Sequence, residues 1–166
     1  MDFKTCSQRV IKGEIMYKYI YQLHHVYISI YTDKKEPLYQ IIELGYFSSA
    51  KKAEKIIEKY IKLKGFKDYP KECFKIRKMK LEILENKNQK NLFELYHSHF
   101  DKDNYEEYEY LGVFPSREKA KEKINELIKK KSKYAKFKEG FDISEEIIDS
   151  DNTIWDEGFD NDNHGC

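Results

Sequence analysis

His25 and His97 occupy matching places in two similar segments, Tyr21-Gln22-Leu23-His24-His25 and Phe93-Glu94-Leu95-Tyr96-His97, and His99 follows His97 after one residue. A His-x-His on an extended segment puts both rings on one face, which is half of a tetrahedral zinc set. The missing ligands would have to come from Cys73 or Cys166, and neither recurs with the repeat. His97 also shares its face with Phe93 and Leu95, so a packed histidine is the expected reading, and no metal or other cofactor is assigned. Ser48, Ser49 and Ser116 stand before amphipathic stretches and are accounted for by the helix starts they flank. None of them lies in a Gly-x-Ser-x-Gly turn, and there is no glycine-rich loop to cradle a phosphate. No catalytic residue is assigned, and the chain is expected not to be an enzyme.

The C-terminal stretch carries the one uneven charge pattern. After Lys138 there is no Lys or Arg, while Asp142, Glu145, Glu146, Asp149, Asp151, Asp156, Glu157, Asp160 and Asp162 accumulate around Ile147, Ile148, Ile154, Trp155 and Phe159. One reading is a solvated tail. The other is an acidic partner-binding surface with an aromatic anchor, for which Asp149, Asp151, Trp155, Asp156 and Glu157 are the candidates, since Trp is enriched at binding hot spots and negative patches steer basic partners.

The bulk composition excludes more than it assigns. Lys+Arg 31 against Asp+Glu 30 leaves no net field to attract nucleic acid or an anionic membrane. Aromatic residues make up 15% of a chain that is 37% charged, so large rings must supply the core. Cys6, Cys73 and Cys166 are odd in number and far apart, which argues against a disulfide framework and for a reducing, cytoplasmic setting. No apolar run is long enough for a membrane span, and no apolar leader is visible. Lys12-Gly13-Glu14 can be encoded by a purine run of the kind that precedes a bacterial start codon, so translation is expected to begin at Met16.

The elements that position these residues come from a duplication. Leu44–Ile76 lies on Leu111–Ile143 without a gap, matching Leu-Gly-x-Phe-x-Ser, an Ala and Ile stripe, and Phe-x-Ile. Each copy reads as strand, strand, helix, strand: about 18–30, 38–47, 49–64 and from Phe74, then about 91–99, 105–114, 116–131 and from Phe141. Gly45 and Gly112 mark expected bulges, and Gly65 an expected helix stop. The helical stripes Ala53, Ile57, Tyr60, Ile61 and Ala120, Ile124, Leu127, Ile128 must each face a sheet. The fold class expected is α+β, a tandem repeat of two ββαβ modules. Each module is a three-stranded antiparallel sheet of order 2-1-3, with one helix packed on one face and a right-handed crossover. The boundaries expected are an extension over 1–15, modules over 16–83 and 91–159, a linker over 84–90, and an acidic tail over 160–166. Modules this small are marginal alone, so the two are expected to bury apolar surface against each other.

Leu44-Gly45-Tyr46-Phe47-Ser48-Ser49, Gly65-Phe66, Phe74-Lys75-Ile76 and the closing Trp155-Asp156-Glu157-Gly158-Phe159 together resemble a small bacterial domain family of unknown function, present here as a tandem duplication. The resemblance implies the fold and assigns no activity. Two departures stand out: the first copy lacks the Trp-x-Glu-Gly-Phe closure, and the second has Ser132-Lys133 in place of Gly-Phe.

Three functions from different classes follow. The first is a small inhibitor of the immunity or antitoxin kind, binding a basic, toxin-like protein. The alternative is a nucleic-acid-binding accessory protein using Lys-rich helices and Tyr-rich sheets. An enzyme with a concealed site comes third.

Overall fold

Ser49 and Ser116 start the two main helices as their positions predict. Each is extended, and each side-chain hydroxyl accepts from the backbone N–H three residues on, that of Lys52 or Lys119. The computed structural model describes residues 15–31, 37–84, 89–150 and 155–159. Residues 1–14 of the expected extension, 85–88 of the expected linker, Asp151 and the whole expected tail over 160–166 lie outside the described residues.

The first module comprises β1 (Ile15–Tyr31), β2 (Pro37–Phe47), α1 (Ala50–Tyr60) and β3 (Phe74–Leu84). The second comprises β4 (Asn91–Phe100), β5 (Glu106–Phe114), α2 (Arg117–Lys130), a short α3 (Ser132–Lys136) and β6 (Phe141–Ile147). The sheets have orders β2-β1-β3 and β5-β4-β6, antiparallel throughout, so each module has the expected 2-1-3 arrangement. Register breaks at the same place in both. Leu23 pairs with Gly45 and His24 with Glu43; Leu95 pairs with Gly112 and Tyr96 with Tyr110. Leu44 and Leu111 are the extra residues of two equivalent bulges.

One helix expectation needs correction. α1 does not run on to Gly65; it ends at Tyr60. Bonds from Lys62 N–H to the Lys59 carbonyl and from Leu63 N–H to the Tyr60 carbonyl tighten the last turn. The chain is thereby turned so that Phe66, on a 3-10 turn headed by Gly65, enters the core fully buried. In the second module α3 does this job, with Tyr134 as the buried ring.

Each sheet has a helix face and a second face. On the first helix face, Leu23, Ile42, Leu44 and Phe47 pack with Ala53, Ile57 and Tyr60 of α1. The second faces of the two sheets meet each other, where Ile20, Tyr46 and Leu81 of one module pack with Leu92 and Ile148 of the other. The layers are therefore helix, sheet, sheet, helix. Ile57→Ala is expected to cost about 2–5 kcal/mol in a urea titration, and Ile124→Ala to fall at or below the low end, because Ile57 is buried and Ile124 only half-buried. A larger loss at Ile124 than at Ile57 would contradict this placement.

Candidate functional site

The acidic C-terminal residues are drawn onto the first module. The Asp149 carboxylate accepts from the Ser48 N–H at 2.8 Å, the Ser48 hydroxyl at 2.8 Å and Lys52 Nζ at 2.6 Å, at the start of α1. Asp156 accepts from Lys59 Nζ at 2.6 Å, at the other end of the same helix. Trp155 and Phe159 pack against the core of the first module. The Phe159 ring joins those of His25, Tyr27, Phe66 and Tyr69, and its N–H donates to the Lys64 carbonyl at 3.1 Å. Gly158 and Gly65 permit this approach. Both have positive φ, and a Cβ on either would meet backbone oxygen of the opposite segment at 2.1 or 2.4 Å. The closing motif that the first copy lacks in its own sequence is thus supplied by the end of the chain. Of the five candidate partner-binding residues, Asp149 and Asp156 are ion-paired within the molecule, Trp155 is half-buried in packing, and Glu157 is exposed.

His25, His97 and His99 lie on the helix faces. His25 is buried among the rings of Tyr27, Phe66, Tyr69, Phe74 and Phe159, with neither ring nitrogen hydrogen-bonded. Burial lowers its pKa to about 4, so it is packed as a neutral ring. His97, equally buried, has Nε2 at 2.9 Å from the Phe137 carbonyl. Among the described residues no three His, Cys, Asp or Glu side chains are grouped to hold a metal ion.

Polar chemistry is concentrated between the two sheets, and it was not singled out from the sequence. Alternation along β1 and β4 places Gln22 and Glu94, which are equivalent in the repeat, on the inter-sheet faces next to Ile20 and Leu92. Both are almost wholly buried. Tyr46 of β2 donates its hydroxyl hydrogen to one Glu94 oxygen across the module boundary, and Tyr96 donates to the other at 2.7 Å. Gln22 Nε2 donates to Tyr46 Oη at 2.7 Å and to Glu43 Oε2 at 2.9 Å, and Tyr110 Oη lies 3.5 Å from Tyr46 Oη. Burial, reinforced by the Glu43 charge, pushes the Glu94 carboxyl up to about 7 against the opposing pull of the two tyrosine hydroxyls. Burial also raises Tyr46 and Tyr96, so both remain hydroxyl donors at any ordinary pH. The signal available in the sequence was a polar residue at the centre of each core strand, on the face turned away from the helix.

Past this network the two sheets no longer cover each other, and the inter-sheet faces emerge into solvent. Tyr39 and Ile41 continue the Glu43 face of β2 and are 59% and 65% exposed. Tyr108, 65% exposed, continues the Tyr110 face of β5 and stacks on Tyr96 at 5.2 Å between ring centres. Phe100 ends β4 on the same face, also exposed. These strands thus leave large apolar side chains in solvent beyond the half-buried Glu43 and the buried Glu94. No family model matches the chain, and neither does any curated protein or solved structure.

Proposed function

We propose that this chain is a non-enzymatic binding protein that blocks a basic, toxin-like protein partner by surface complementarity, in the manner of an immunity protein or antitoxin. The observation that carries the reading is the set of large apolar side chains left exposed where the inter-sheet faces run out, Tyr39 and Ile41 on β2, Phe100 on β4 and Tyr108 on β5. Large apolar side chains exposed together on one face are the usual mark of an interaction surface. Tyr is a residue enriched in such surfaces because it contributes large, rigid area at low conformational cost. Asp149 and Asp156, held by Lys52 and Lys59, contribute mainly to the fold, and the exposed strand aromatics take their place as the binding surface.

The arrangement disfavours nucleic acid. The Glu43 charge acts on Tyr96, Tyr108 and Tyr110, the tyrosines that could stack on bases, and would repel phosphate. Several helix lysines, Lys119, Lys123 and Lys130, are paired with Glu122 or Glu126 on α2.

Expressed with a tag in its native cell, the chain should retain one basic protein at fixed stoichiometry. The triple variant Tyr39→Ala, Ile41→Ala, Tyr108→Ala should lose it by about tenfold or more, while Lys121→Ala on the exposed side of α2 should not. Equal retention by both variants would refute these exposed aromatics as the binding surface. Retention that vanishes with nuclease, or with salt on immobilised single-stranded RNA, would favour the alternative.

A further inference from the structure

The near balance of charge over the whole chain conceals an opposition between its halves. Residues 16–83 carry 15 Lys and Arg against 8 Asp and Glu, a surplus of seven positive charges; residues 91–159 carry 11 against 17, a surplus of six negative ones. The strand edges concentrate the split. β3 and β5 are both edge strands, each hydrogen-bonded to a neighbouring strand on one side alone. β3 holds Lys75, Arg77, Lys78 and Lys80, all exposed, with Glu82 as its single acid. β5 holds Glu106, Glu107 and Glu109 and no Lys or Arg. Lys133 contacts Glu107 and Glu109 at 3.4 and 3.2 Å, and His99 contacts Glu107 at 3.3 Å. One lysine among three carboxylates leaves this edge negative.

Position and sign together select what these edges can accept. Charged side chains guard an exposed strand against an identical one, because β3 on β3 or β5 on β5 would set like charges side by side. They give no such protection against an edge of opposite sign. Within one copy β3 already lies across from β5, as β2 does from β6. The Arg77 charge acts on Tyr110, and Leu81 and Glu82 share a groove with Val113 and Phe114. Both edges are therefore on one side of the molecule. A two-fold axis along that side brings β3 of each copy to β5 of the other, so two equal contacts form at once and the assembly closes. β6 is acidic as well, with Asp142, Glu145 and Glu146, but it lies on the β2 side. Pairing it with β3 would give one contact per junction and an open chain. Aromatic rings add to the fit. Lys78 Nζ already sits 4.0 Å from the centre of the Tyr19 ring, and Tyr105, just before β5, is 73% exposed and open to a cation from outside. We infer that two copies of this chain form a dimer, the basic β3 of each against the acidic β5 of the other.

Sedimentation velocity on the full chain, run against salt, tests this contact. At about 20 mM salt the protein should be a dimer, and at about 500 mM its dissociation constant should rise about tenfold or more. Two double variants change exposed positions: Lys75→Glu with Lys78→Glu, and Glu106→Lys with Glu107→Lys. Each should be monomeric at low salt and keep the wild-type circular dichroism. Mixed in equal amounts they should dimerise again, since every contact then regains one basic and one acidic edge. Glu145→Lys on β6 should leave the dimer intact. A wild-type chain that stays monomeric at low salt and at its highest soluble concentration would overturn the inference, as would variants that remain apart when mixed. So would loss of the dimer on Glu145→Lys, or species that keep growing with concentration. A low-salt association abolished by nuclease would make the basic edge a nucleic-acid contact and overturn the dimer.

Discussion

Glu94→Gln is expected to stabilise the folded chain at pH 8 by about 1–3 kcal/mol and to make it newly sensitive to acid. The wild-type carboxyl is raised from 4.5 to about 7 because it is buried between the sheets and faces the charge of Glu43. Between those values the folded state holds a proton that the unfolded chain has released. Stability therefore falls as pH rises through this window, by at most about 3 kcal/mol, and does not recover above it. Glutamine removes that loss while keeping an acceptor for Tyr46. His25 works in the opposite sense. Burial lowers it from 6.5 to about 4, so the unfolded chain takes a proton that the folded chain refuses, and stability falls as pH drops through that window. In the wild type the two slopes oppose each other across the range they share; Glu146, raised by burial and by Glu43, leans the same way as Glu94. The variant should show the His25 slope uncovered. Urea titrations at pH 4.5, 6 and 8 measure both claims. A variant less stable than wild type at pH 8 would mean that Tyr46 and Tyr96 gain more from the charged carboxylate than its burial costs.

Loss of the closing segment should strike the module it does not follow in sequence. Trp155→Ala is expected to destabilise by about 3–5 kcal/mol. Gly158→Ala should act in the same direction, because its methyl would have to sit where the Lys64 backbone is. Sequence order places these residues after β6, so the expectation from the sequence was closure of the second core. They pack instead on the first core, the cluster that contains Ala53, Ile57 and Phe66. Amide hydrogen exchange separates the two. Protection at Ala53 and Ile57 of α1 should fall before that at Ala120 and Leu127 of α2. Faster exchange in α2 alone would contradict the observed packing.

Periodicity and local chemistry made the modules legible before any coordinates. Alternation marked the β4 faces, serine before an apolar stripe marked α1 and α2, and glycine at matching places marked both bulges. Those features are set by a residue and its near neighbours, so one strand or one turn contains the whole signal. The 2-1-3 order also followed, since a helical crossover leaves only the slot beside the first strand for an all-antiparallel sheet. Between-module contacts left no such signal. Gln22, Glu43, Tyr46, Glu94 and Tyr110 are unremarkable one by one, and nothing in their spacing says that they converge across the boundary. The same is true of Asp149 and Asp156. A run of acids without nearby bases reads as a free negative surface, but Lys52 and Lys59 reach it from about a hundred residues away. Pairing along the chain is dictated by helix and strand geometry, whereas pairing between modules depends on how two apolar sheet faces seat on one another. That seating buries Ile20 against Leu92 and decides both where Glu94 is desolvated and where the tyrosines emerge.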